Sequence, residues 1–340
     1  MTEDSGKPAP GAAAGPTATA AEFLAPALLA LSEAVGVASR RVVAAGGTRR
    51  AAAGAEPDVE AVHDFRVALR RLRTLLRPAR RVYGKKRLQK VSDDLRLYAN
   101  ATGALRDEEV LRETLSALPL HGEVRATVDA WIQRRSRKER ACRAEVIRLL
   151  SGGSAHGRGG DATVVSFRLG AARSREVVPT SPSSELEPCL ARLEARLARP
   201  KHRRRGAEDL ARAALEEALA GVRALAAGDP ADGPAMHTLR IRWKRLRYSA
   251  ETFSPLLGER AARTAKSAAR MQRRLGQLHD VDEATLRMTR AWGLSPADRA
   301  AVLAALATER ARIASKVATE LGPELAALAA EWPPSTPPVA

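Results

Sequence analysis

At 340 residues the chain can form one large domain or two of ordinary size, and an apolar content of 45% is enough for a real core, which excludes a wholly disordered chain. Aromatic residues make up only 3% and alanine carries much of the apolar count, which favours close-packed helices over sheets. A net charge of +18 and a pI near 11.0 call for a polyanionic partner, without choosing among nucleic acid, anionic lipid and a phosphate polymer.

Residues 1–20 are low in complexity and are expected to be disordered. They lack the basic segment and apolar run of a signal peptide, and the apolar stretch from Phe23 to Leu31 is short and interrupted by Pro26. Cys142 and Cys189 have no metal-type spacing and make no disulfide framework. A soluble cytoplasmic protein is expected, with no membrane segment, cofactor or metal site.

Helical patterning runs from Glu22 to Ala45 and ends at Gly46-Gly47. Asp58 is a candidate N-cap for the next helix, which reaches Pro78 or Val82 and opens His63-Asp64-Phe65-Arg66-Val67-Ala68-Leu69-Arg70-Arg71-Leu72-Arg73. Here His63, Arg66, Arg70, Arg73 and Arg77 fall on one stripe, with Arg71 beside it. Val62, Phe65, Leu69, Leu72 and Leu76 form an apolar stripe about a quarter turn away, so the cationic row borders the buried face. From His63 to Arg77 the row spans about 21 Å, which suits a linear polyanion better than a single small phosphate.

A third helix is expected from Lys85 to Thr102, with Gly103 marking its end, followed by helices at Leu105–Leu118 and Glu123–Leu150. Residues 151–184, rich in Gly, Ser and Pro, read as a boundary or inserted loop. Within them Thr163–Leu169 alternates like a strand but has nothing to pair with. Helical patterning returns at Glu185–Leu197 and Ala207–Ala227, separated by the basic run Arg199–Arg205, which reads as an exposed loop adding to the electrostatic field.

Asp232-Gly233-Pro234 then opens a second copy of the motif: His237-Thr238-Leu239-Arg240-Ile241-Arg242-Trp243-Lys244-Arg245-Leu246-Arg247. It aligns without a gap, 174 residues after the first, from His63 to His237. His237, Arg240, Lys244 and Arg247 repeat the stripe, with Arg245 beside it, and Met236, Leu239, Trp243, Leu246 and Ala250 repeat the apolar face. The five cations between Arg240 and Arg247 have no acid among them, so the helix repels itself unless an anion or a partner helix neutralises it.

Helices follow at Glu259–Leu275, Gln277–Trp292, Pro296–Leu321 and Pro323–Trp332, and the tail 333–340 is expected to be disordered. Gly103-Ala104-Leu105-Arg106-Asp107 also matches Gly276-Gln277-Leu278-His279-Asp280. Asp107 and Asp280 are expected to orient a stripe arginine or histidine or to cap a helix, with Arg106 and His279 as supporting neighbours. Two matched elements in matched order indicate an internal duplication, with bundle halves at 21–150 and 185–332 related by a pseudo-twofold axis.

These paired His-x-x-Arg helices, the Gly-x-Leu-x-Asp elements and the ending Arg245-Leu246-Arg247-Tyr248 resemble a CHAD domain over roughly residues 21–330. The resemblance implies an all-α fold of two four-helix-type bundles around a central basic pore. It also implies binding of inorganic polyphosphate and, in some members, association with polyphosphate granules. By motif position the binding residues would be His63, Arg66, Arg70, Arg73, His237, Arg240, Lys244 and Arg247, although Arg106 stands where the second half has His279.

A noncatalytic polyphosphate-binding module is therefore expected. A nucleic-acid binder is the second reading, supported by charge alone, since no helix-turn-helix, zinc or RNA-recognition signature is present and few aromatics could stack on bases. An enzyme is the third, and it lacks carboxylates on the stripe to hold the metal ions of phosphoryl transfer.

Overall fold

The computed structural model describes residues 18–45, 60–151, 185–225 and 228–333. The expectations for residues 1–17, Gly46-Gly47, Asp58, 152–184 and 334–340 lie outside the described residues. The described chain forms helices α1 (Ala20–Ala45), α2 (Glu60–Tyr83), α3 (Lys85–Ala101), α4 (Gly103–Ser116) and α5 (Gly122–Leu150). After residue 184 come α6 (Leu186–Leu197), α7 (Ala207–Arg223), α8 (Gly233–Thr289) and α9 (Pro296–Glu331). The fold is all-α, with no β-strand among the described residues.

Both apolar stripes are buried. Phe65, Leu69, Leu72 and Leu76 of α2 join a first core with α1, α3 and α6, while Met236, Leu239, Trp243, Leu246 and Ala250 of α8 join a second with α9. The two cores do not divide at residues 151–184. Leu111 and Leu115 of α4 and Trp131 of α5 sit in the second core, whereas α6 fills the first with Leu186, Cys189, Leu190 and Leu193. α7 serves both, with Leu210 and Ala211 in the first and Leu219 and Val222 in the second.

α1 begins earlier than its pattern suggests and continues through Pro26. Its first residue is anchored by the chain before α7: Ala20 N donates to Arg205 O at 2.7 Å, and Ala207 N donates to Ala18 O at 3.1 Å. Among the described helices α1 alone is long and apolar enough to cross a membrane by length and composition. Here Leu24, Leu28, Val35 and Val42 are buried in the first core.

α8 departs most from its sequence reading. It passes Gly276 without the expected break, while the boundary expected before Glu259 is present as an interruption at Gly258, with φ 68° and ψ −156°. A straight helix of 57 residues would extend about 85 Å, too far for both of its ends to enter one core. The break at Gly258 lets Leu239 and Trp243 before it and Met271 and Leu275 after it share the second core. A side chain at 258 would meet no atom within 4 Å, so only the backbone conformation demands glycine. Gly258→Ala should therefore destabilise the protein by about 1–3 kcal/mol through strain alone, and thermal melting of the variant measures this.

α9 likewise runs unbroken through Pro323, where the sequence suggests a new helix. Leu321 and Leu328 are buried on either side, and their packing outweighs the hydrogen bond that proline removes.

Candidate anion-binding site

α2 and α8 carry the repeated motifs, and their apolar stripes anchor them to different cores, so their cationic rows face each other where the two cores meet. Between them lies a pocket of about 320 Å³. Arg66 and Arg70 of α2 and Arg240 and Lys244 of α8 line it, with His63 at the α2 side and His279 at the α8 side. Arg106, Asp107 and Asp280 complete the set that the repeats single out.

The cations are crowded and partly withdrawn from water. Lys244 feels Arg70, Arg240, Arg66 and Arg73 together, and burial, reinforced by these four charges, brings its ammonium down to about 7. Burial and then Arg70 lower Arg66 to about 10. Arg240 is lowered by burial and by Arg70, although Asp280 acts in the opposite sense. Arg70 is thus the shared neighbour whose charge reaches both helices.

Arg66 is held in place from behind. Its Nη1 donates to Thr102 O and, at 2.7 Å, to Thr102 Oγ1. Thr102 caps α3 with a right-handed backbone, and Gly103 begins α4, so the end of α3 needs no left-handed glycine. Thr102 O also accepts from Arg106 N at 3.4 Å, so the carbonyl at the α3–α4 junction is shared between Arg66 and the first turn of α4. The equivalent glycine of the second repeat, Gly276, lies close to Arg240, whose Nε is 3.9 Å from where a Cβ would stand.

His237 stands behind His279 and not in the pocket lining, with the two Nδ1 atoms 3.2 Å apart. One must donate and the other accept, so the pair cannot hold two protons on those atoms. Burial and then Arg240 lower both, and His279 is brought down to about 4.

The remaining residues of the two rows lie elsewhere. Arg71 faces solvent, and Arg73 lies beside Arg70 and Arg96. Arg77 is near Arg245, which pairs with Glu217. Arg247 bonds Glu251 through Nε at 2.6 Å and stacks on Tyr248. The two rows therefore converge over part of their length and diverge toward the ends of their motifs.

Two pocket residues have no sequence signal in the duplication. Glu283 and Arg287 line the site, but the first-repeat positions aligned with them are Val110 and Thr114. Their spacing from Asp280, i+3 and i+7 on one helix, is the pattern that could have found them. Arg287 reaches Asp107 at 3.0 Å and also the buried Glu108, which Arg135 and Lys138 hold from the other side. Burial raises Asp280 and Glu283 from their ordinary values, with Arg240 opposing at Asp280 and Arg287 at Glu283. The site is therefore two-faced, with a cationic wall from the motif helices and an acid-bearing wall from α4 and the distal arm of α8.

The model of the CHAD domain matches residues 18–156 and 166–289, most of the chain. The chain belongs to the CHAD domain family. The match stops before α9, whereas structural similarity extends further. The crystal structure of the CHAD domain from the plant Ricinus communis superposes with a TM-score of 0.59, covering 96% of each chain at 19% identity. At that identity the likeness shows a common fold. No curated protein matches the chain. Within this CHAD domain both motif helices lie inside the matched ranges.

Proposed function

We propose that this CHAD domain binds inorganic polyphosphate, with the pocket between α2 and α8 serving as a segment of a basic pore. The observation that carries the reading is the meeting of Arg66 and Arg70 from one repeat with Arg240 and Lys244 from the other. Like charges forced together under partial burial cost stability, and a multivalent anion is the partner that turns this cost into affinity. Guanidinium forks pair with phosphate oxygens in two-point contacts, and a lysine adds a point charge. The reading is of binding without catalysis. Asp107, the acid nearest the cationic wall on α4, is engaged by Arg287. Residence in the cytoplasm and association with polyphosphate granules belong to the same proposal.

Contacts that add along one ligand predict a strong preference for chain length. Isothermal titration should show long-chain polyphosphate binding much more tightly than tripolyphosphate, and tripolyphosphate more tightly than orthophosphate. Long-chain affinity should fall steeply with salt as counterions are released. Equal affinity for orthophosphate and the long chain would refute the reading.

A further inference from the structure

The cationic row of α2 does not stop at the pocket. Arg73, Arg77 and Arg80 continue it at helical spacing toward the end of α2, where Gly84 turns the chain into α3 with φ 91°. On that turn rests the basic run that the sequence reads as an exposed loop. Lys201 N and His202 N both donate to Val82 O, at 3.0 and 2.9 Å, and Arg87 Nη1 donates to Arg199 O at 3.2 Å. The Lys201 side chain passes over Gly84, its Cδ 3.4 Å from where a Cβ would stand. At the other end of the run Arg205 O accepts from Ala20 N, so both flanks are fixed to the body of the protein.

The result is a preorganised cationic surface. Lys201, Arg203 and Arg204 are exposed, and none has an acidic partner among the described residues. Arg205 Nε is buried without a hydrogen-bond partner among those residues. The first turn of α3, which carries Lys85 and Arg87, holds no acid. The acid along the row is Glu217, and it is occupied by Arg81 at 2.9 Å and by Arg245. From Arg70 to Gly84 the row covers about 21 Å, one side of one helix wide.

We propose that the surface formed by residues 201–205 on the α2–α3 turn is a second phosphate-binding subsite. A long polyphosphate chain reaches it along α2 while occupying the pocket, and a short chain fills the pocket alone. This rests on the pocket reading above. A row of single cations beside one helix matches a chain whose every unit is charged. Nucleic acid is disfavoured because the large exposed aromatic among the described residues, Trp292, stands on the α8–α9 turn and not at this surface. Because the second contact is intramolecular once the pocket is filled, a few exposed cations suffice to raise affinity appreciably.

The test compares tripolyphosphate, long-chain polyphosphate and duplex DNA as ligands of the full chain and its Lys201→Ser/Arg203→Ser/Arg204→Ser variant. The variant should bind tripolyphosphate as the parent does. It should lose about tenfold in long-chain affinity and show a salt dependence shallower by about two to three contacts. Unchanged long-chain binding, or an equal loss for both chain lengths, would overturn the subsite and leave the pocket standing. Loss of DNA binding with long-chain affinity intact would assign the surface to nucleic acid instead. If the parent protein binds neither phosphate ligand, the pocket reading itself fails and the subsite with it.

Discussion

Arg70→Met is expected to weaken long-chain polyphosphate binding by about 10- to 100-fold while making the ligand-free protein more stable. The two effects share one cause. Arg70 adds its charge to Arg66, Arg73, Arg240 and Lys244, and in each case disfavours the neighbour's protonated state. Removing it relieves that repulsion and leaves a side chain able to pack, so a gain of about 1–2 kcal/mol is expected, or roughly 2–4 °C in melting temperature. Bound phosphate loses one charge-assisted contact of about 1.5–3 kcal/mol, which sets the expected fall in affinity. Opposite changes in stability and binding are the signature of a preorganised anion site. Calorimetry and titration of the same variant check both, and a variant that is less stable yet binds normally would make Arg70 a structural residue.

Lys244→Met should remove a pH dependence that the parent protein shows. In the unfolded chain the lysine titrates near its ordinary value of about 10.4, whereas burial and four neighbouring arginines bring it down to about 7 in the fold. Between those two values the unfolded state binds more protons, so the ligand-free protein gains stability as pH rises from 7 toward 10. The full effect is on the order of 3–5 kcal/mol. In the methionine variant that rise should be absent, and the variant should be the more stable protein at pH 7. Bound polyanion reverses the preference, because a phosphate beside Lys244 favours its ammonium. Binding at pH 8–9 should therefore take up close to one proton, measured by titration in buffers of different ionisation enthalpy. Stability curves of parent and variant that run parallel from pH 7 to 10 would refute the account of Lys244. His237 and His279 add to the pH dependence only at more acidic pH, since both are lowered.

Much of the site was legible because the duplication states it twice. His63, Arg66, Arg70, Arg240 and Lys244 stand out by spacing and repetition, and the apolar stripes beside them fix which way each helix turns. Asp107 and Asp280 were found through the shared Gly-x-Leu-x-Asp element, and both line the pocket. Glu283 and Arg287 were not, since a repeat cannot reveal residues that only one half carries.

The limits in the fold have a similar cause. Gly103 follows the end of α3 as its position suggests, whereas Gly276 and Pro323 also read locally as helix ends and are overridden by burial of the leucines on either side of each. The sharing of α4, α5 and α7 between the two cores, and the placing of α6 in the first, are also tertiary. Each has an apolar face at helical spacing, and that spacing does not name the core it joins.

Recognition of polyphosphate as a chain, and not mere attraction of negative charge, is what we propose for the convergent cations of α2 and α8. Its most direct measurement is binding of long-chain polyphosphate to the full chain in the presence of excess duplex DNA, alongside the Arg66→Ala/Arg240→Ala variant. Binding that persists under DNA in the parent and is lost in the variant is the predicted result. Equal displacement by DNA, with the variant unchanged, would mean that a net charge of +18 binds any polyanion and that the repeated stripes serve the fold alone.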